Sequence, residues 1–136
     1  MILIIGGQSQ GKRLFAERLN HQRTADLGCA NNADIRIADG RRDDYPCAFD
    51  ADIICHLELY IRRLMKSGEN PDAFIEQLMN QNGDAIVIAD EIGYGIVPVD
   101  EFERNYRETD GRLCQKVAAA SQSVYRVVCG IECKIK

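Results

Sequence analysis

The sequence predicts an α/β fold: a mainly parallel sheet with helices on both faces, closed by an antiparallel hairpin at the C-terminal end. Three observations carry this. Ile2 to Ile5 and Ala85 to Ala89 are short apolar runs without polar alternation, as strands covered on two sides require. Segments with apolar residues at helical spacing separate the strand-like runs. After Gly130, Ile131, Cys133 and Ile135 alternate with Lys134 and Lys136, the pattern of a last edge strand paired with the run Val124 to Cys129. Strands separated by helices require right-handed crossovers and hence parallel neighbours.

The chain opens MILIIGGQSQGKRLFA. Gly6 and Gly11 bracket Gly7-Gln8-Ser9-Gln10 and Lys12 follows, the G-x-x-x-x-G-K spacing of a phosphate-binding loop with a strand before it and a helix after it. Several backbone N–H groups converge on one anion only where the backbone can curl, which suits Gly6, Gly7 and Gly11. The helix that opens at Gly11 or Lys12 adds orphan N–H groups and its positive dipole end, and the Lys12 ammonium reaches the outer phosphates. Gly6, Gly7, Gln8, Ser9, Gln10, Gly11, Lys12 and Arg13 are therefore the candidate nucleotide-binding residues, on a three-layer fold of the P-loop type. Arg13 departs from the pattern, which has Ser or Thr there to ligate Mg²⁺; a guanidinium has no lone pair to offer.

Leu14, Phe15 and Leu19 give the first helix an apolar side, and Gly28, Asn31 and Asn32 mark residues 24–34 as a loop. Asp34 to Ala38 alternates as a short strand near an edge, ended by Asp39-Gly40, and residues 41–50, RRDDYPCAFD, read as a charged surface loop. From Asp52, the spacing of Ile53, Leu57, Tyr60, Ile61 and Leu64 predicts a helix that carries His56, turns Arg62, Arg63 and Lys66 outward, and ends at Gly68. Asn70-Pro71 caps and opens another, with Phe74, Ile75, Leu78 and Met79 on one face, before Asn82-Gly83 turns the chain.

The Ala85 to Ala89 run belongs beside the first strand and leads straight into Asp90-Glu91. Acids at the carboxyl end of such a strand are candidate Mg²⁺ ligands. A glycine-bearing loop, Gly93 to Pro98, follows; Asp100 and Glu103 match a capping box, and Phe102, Tyr106, Leu113 and Val117 continue a helical face past Gly111, a potential kink.

At 136 residues the chain is expected to form one domain, 1–136, and its net charge of -4 argues against a nonspecific nucleic-acid binder. No apolar run is long enough to span a bilayer and the N-terminus lacks the features of a signal peptide, so a cytoplasmic protein is expected. The six cysteines (Cys29, Cys47, Cys55, Cys114, Cys129, Cys133) include no C-x-x-C and read as free, mostly buried thiols.

The segment Ile88 to Lys136, with its Gly93-Tyr94-Gly95-Ile96-Val97-Pro98 and Tyr106-Arg107-Glu108-Thr109-Asp110-Gly111-Arg112 runs and a closing Lys134-Ile135-Lys136, resembles the adenosylcobinamide kinase / adenosylcobinamide-phosphate guanylyltransferase family, and the opening GGQSQGK is similar to that family's glycine-rich loop. The resemblance implies an enzyme of cobalamin assembly that uses GTP or ATP with Mg²⁺ to phosphorylate the aminopropanol hydroxyl of adenosylcobinamide. Full-length members also transfer GMP through a guanylyl-histidine. By position it implies phosphate binding by Gly6, Gly7, Gly11 and Lys12. Glu91 matches the acid of the family's Asn-Glu pair, with Asp90 in place of the Asn. Arg107, Gly111, Arg112 and Gln115 match the helix motif, with Cys114 replacing its Asn. The implied partners are a nucleotide, a corrinoid substrate and further copies of the chain.

After Arg36-Ile37, where the family places its guanylylated histidine, this chain reads Ala38-Asp39-Gly40-Arg41-Arg42; its histidines are His21 and His56. Kinase activity without guanylyl transfer is the expectation, with Lys12, Glu91, Arg107 and Arg112 as candidate catalytic residues, Asp90 and Glu91 as candidate metal ligands and His56 as a structural or surface residue. The alternative is a catalytically degenerate regulatory protein that binds a nucleotide or anion, with Arg13 standing in for the metal.

Overall fold

A computed structural model describes residues 1–26 and 34–136. Cys29 and most of the loop read across 24–34 lie outside the described residues. The elements are β1 (Ile2–Gly6), α1 (Lys12–Asp26), β2 (Ile37–Asp39), β3 (Ile53–Cys55), α2 (Leu57–Ser67), α3 (Pro71–Gln81), β4 (Ile86–Asp90), α4 (Glu101–Ala120), β5 (Ser123–Val128) and β6 (Ile131–Lys134). They form one six-stranded sheet in the order β2-β3-β4-β1-β5-β6, parallel except for the antiparallel β5–β6 pair. The α/β fold with a mainly parallel sheet and a C-terminal antiparallel hairpin is thus the observed architecture.

Period-two alternation along the strands distributes the core between two layers. Ile2, Ile4, Ile53, Ile86 and Ile88 face α1 and pack with Phe15 and Ala16, whereas Leu3, Ile54, Val87 and Val124 face α2, α3 and α4 and pack with Ile61, Ile75, Leu113 and Val117. The neighbouring β1 and β4 align Ile4 with Ile88 and Gly6 with Asp90, so the glycine loop and the acid emerge side by side at the carboxyl edge of the sheet.

Several local expectations change. Ile53 does not begin a helix: it begins β3, whose Ile53 and Ile54 are fully buried between β2 and β4. A three-residue strand joined directly to an amphipathic helix carries no period of its own, which is why it merged with α2 in the sequence. The edge strand is centred later than residues 34–38, and Tyr45–Phe49 forms a 3-10 turn inside the presumed surface loop. That turn inserts Tyr45 and Phe49 against Tyr60 and Phe74. Leu14 is 69% exposed at the start of α1 rather than on its buried side. Gly111 neither kinks nor splits α4, a continuous helix.

The caps form at Asn70, whose side chain accepts from Asp72 N, and at Gly68, which ends α2; of the capping box only the Asp100 half is made, its side chain accepting from Glu103 N, while the Glu103 carboxylate pairs with Arg62. The expectation of mostly buried thiols does not survive among the described cysteines, because Cys47, Cys129 and Cys133 are exposed; all five described are free. Cys129 and Cys133 lie at the β5–β6 turn and on β6, an edge strand exposed on both faces. No helix among the described residues is long and apolar enough to cross a membrane.

Candidate functional site

The strand-to-helix bend after β1 is built around a buried cation. Lys12, 6% exposed, donates from Nζ to Gly6 O (3.1 Å) and Gly7 O (2.7 Å) and lies 2.6 Å from Asp90 Oδ1. The lysine is thereby folded over the loop that its α1 amides extend. Gly6 adopts φ +151°, and a Cβ there would collide with the Val127 carbonyl of β5, so the loop leaves the sheet where only glycine fits. Gln10 ties the loop's far side to the β5–β6 turn: its Oε1 accepts from Cys129 N (2.6 Å) and its backbone O from Gly130 N (3.0 Å). Ser9 takes a left-handed φ of 60°.

The two acids after β4 part company. Asp90 faces Lys12, as the register with Gly6 predicts. Glu91, expected beside it as a metal ligand, turns instead to Arg126 on β5, whose Nε lies 3.0 Å from Oε1 and whose Nη2 donates to Oε2 at 3.1 Å. It is one residue out of phase with Asp90, so its side chain leaves on the opposite side of the sheet edge. The Arg126 guanidinium is in turn covered by the Tyr94 ring, 5.7 Å from its centroid.

A residue that the sequence placed in a helix completes the edge. His56 ends the β3–α2 junction in a left-handed backbone conformation, φ 58° and ψ 53°, as the residue capping α2. Its Nδ1 lies 3.1 Å from Oε1 of Glu58, which is 3% exposed, and the other Glu58 oxygen accepts from Asp90 N at 3.0 Å. Burial raises the Glu58 carboxyl above its ordinary range, against the lowering effect of the Asp90 N–H. Gly40 makes the arrangement possible, since a Cβ there would meet the His56 carbonyl, and Arg63 holds that turn by donating to Gly40 O and Asp43 O. Behind Glu58, the Tyr106 hydroxyl donates to its carbonyl (2.8 Å), and Asp110 is 4% exposed with its pKa pushed up to about 7, first by burial and then by the charges of Glu58 and Asp90.

Two cavities open at this edge. One, of about 290 Å³, is lined by the loop from Gln8 to Leu14 together with Asp39, Arg41, Cys55, His56, Ile88 and Asp90. The other, of about 330 Å³, runs towards α4 and is lined by Glu58, Arg62, Ile92, Glu103, Tyr106 and Arg107 among others. Gln8, Arg41, His56 and Asp90 belong to both. Arg13 sits on the rim of the first, 61% exposed and paired with Glu17. Arg107 reaches the second and donates to Gly95 O at 3.3 Å. Arg112, expected at the site, lines neither: both of its terminal nitrogens hold Asp72 on α3 (2.6 and 2.8 Å), shared with Lys116.

Residues 53–135, more than half of the chain, match the family described as cobinamide kinase / cobinamide phosphate guanyltransferase. The chain belongs to this family. It is also 43% identical over 51 residues to the bifunctional adenosylcobalamin biosynthesis protein CobU of Salmonella typhimurium, and equally to that of Escherichia coli. The aligned stretch is 38% of this chain and 28% of each relative.

The family match covers β3 to β6 and so includes His56, Glu58, Asp90, Glu91, Arg107 and Arg112, whereas the glycine loop precedes it. The loop therefore rests on its own geometry. The spacing puts His56 inside a helix because the helical period swallows β3, and it marks Glu58 with nothing beyond a Glu two residues after a His at a strand end. Arg126 was missed for want of any local pattern at all.

Proposed function

We propose that residues 1–136 act as one nucleotide-binding unit that transfers the terminal phosphoryl group of GTP or ATP to the side-chain hydroxyl of adenosylcobinamide. The observation that carries this is the buried Lys12 at the mouth of the glycine loop, 2.6 Å from Asp90 at the carboxyl edge of a parallel sheet, in a chain of the cobinamide kinase family. The loop amides and the first turn of α1 bind the triphosphate, and Lys12 exchanges its carbonyl partners for phosphate oxygens. Arg107, on the wall of the second cavity, offsets charge on the acceptor side.

The donor set suits Mg²⁺ only sparsely, because Arg13 offers no lone pair and Arg126 holds Glu91. Asp90 is the residue that would hold the ion, with phosphate oxygens and water as its remaining ligands. Bound there, Mg²⁺ would neutralise charge on the outer phosphates. Glu91 serves instead to orient Arg126 and the loop that follows β4. Arg112 braces α4 against α3.

Guanylyl transfer is not part of the proposal, since the turn after β2 has no histidine. The exposed apolar residues Tyr94, Ile96, Val97 and Val99 beside the site support a homo-oligomer, as the family resemblance implies. A second reading, nucleotide binding without turnover, is favoured by one observation: the exposed Arg13 cation stands where a metal-binding hydroxyl belongs. Incubation of the purified chain with Mg²⁺-GTP or Mg²⁺-ATP and adenosylcobinamide, followed by mass spectrometry, decides between them. A product heavier by one phosphoryl group is expected; GTP binding without that product supports the second reading.

A further inference from the structure

The seam between the two cavities is where a group leaving the nucleotide would meet its acceptor, and His56 is on it. We infer that His56 is the general base of the phosphoryl transfer, taking the acceptor hydroxyl's proton on Nε2, and that Glu58 positions it. This rests on the kinase reading given above.

Three features of the structure support the assignment. The imidazole is partly open to the cavities, with 19% of its side chain exposed, while the carboxylate behind it is buried. Both Glu58 oxygens are committed, one to His56 Nδ1 and one to Asp90 N, so the ring is held on one side by a fixed acceptor. Glu58 engages Nδ1, so Nε2 is the ring nitrogen left for the cavities; the assignment requires the proton on Nδ1, with Glu58 accepting it. Finally, the backbone at His56 is left-handed and closely packed against Gly40, a conformation that an L residue adopts at a cost and that aims this side chain at the edge.

The same three groups His56, Glu58 and Asp90 bring ligand-capable atoms within 4.8 Å of one another. A metal held by all three would have to displace the His56–Glu58 contact, which an ion on Asp90 alone leaves in place. A base is the better use of the arrangement. In the step, the acceptor O–H bond breaks as its oxygen bonds to the γ-phosphorus; the proton passes to Nε2, and the bond from that phosphorus to the β–γ bridging oxygen breaks, releasing the nucleoside diphosphate. The imidazolium is stabilised by Glu58 and returns its proton to solvent through the exposed edge of the ring.

The test uses the full chain with Mg²⁺-GTP and adenosylcobinamide, and two variants. His56→Asn retains a residue type that tolerates the left-handed backbone and should lower kcat by about a hundredfold, with GTP affinity moving far less. Glu58→Gln keeps the shape of the side chain and should lower kcat by about tenfold or more while moving His56, in ¹⁵N NMR of the side chain, off the Nδ1-protonated form expected of the native chain. A His56→Asn rate within about threefold of native, a native His56 protonated on Nε2 instead, or an acid-labile phosphoryl or guanylyl adduct on His56 overturns the assignment. If the native chain transfers no phosphoryl group, the kinase reading itself falls and takes the base with it, a result distinct from an active native chain with an equally active His56→Asn.

Discussion

Lys12 Nζ lies 2.6 Å from Asp90 Oδ1, and the two side chains are 6% and 15% exposed, so the cation of the loop is neutralised by the strand that flanks it. Two backbone carbonyls complete its coordination. Replacing Asp90 by Ala leaves an ammonium buried with only those carbonyls, and removal of one partner from a buried pair costs about 3 kcal/mol. Chemical denaturation of Asp90→Ala should show that loss. A change below about 0.5 kcal/mol would mean that the pair is effectively solvated.

The exit from β1 permits no side chain. Gly6→Ala would force a Cβ into the Val127 carbonyl at a φ of +151°, and the cost should be about 3 kcal/mol. Thermal unfolding would register the loss. Because relief requires the loop to move away from β5, GTP affinity should fall in the same variant.

Asp110 gives the chain a pH dependence of known sign. Its folded pKa is raised from 3.8 to about 7, mainly by burial, so the folded state holds its proton more tightly than the unfolded state does. The associated stability is complete below about pH 4 and is lost as pH rises through about 7, an effect on the order of 4 kcal/mol. Asp110→Asn should abolish this component, so that the urea midpoint of the variant gains on the native chain between pH 5 and pH 8. Parallel pH profiles for the two would contradict the burial argument.

Arg112 is predicted to matter little to chemistry. Its guanidinium is bidentate on Asp72, whose carboxyl it and Lys116 hold well below the usual carboxylate range, on a face formed by α3 and α4. Arg112→Ala should leave the transfer rate unchanged, while Arg107→Ala, on the cavity wall, should lower it. Steady-state kinetics on the pair separates the two positions.

What the sequence disclosed and what it withheld divide along range. The strand–loop–helix of residues 2–26, the caps at Asn70 and Asp100 and the antiparallel end all depend on neighbours a few positions apart, and all were legible. The site was legible where it rests on such signals: glycine spacing and two apolar runs without polar alternation are each local, and runs of that kind sit side by side at the centre of a parallel sheet, which brought Lys12 and Asp90 together. Glu91 was claimed by Arg126 from 35 residues away, and Arg112 by Asp72 from 40, pairings that leave no trace in periodicity. His56 was misplaced for a different reason. Three strand residues followed at once by a helix satisfy the helical period, and the strand vanished into it.

The central claim, that the backbone from Gly6 to Arg13 together with Lys12 grips a triphosphate, is tested most directly by calorimetric titration of the native chain and Lys12→Ala with GTP in the presence of Mg²⁺. Saturable binding by the native chain, weakened at least about tenfold in the variant, is the predicted result. No binding by the native chain, or equal affinities in the two, would contradict it.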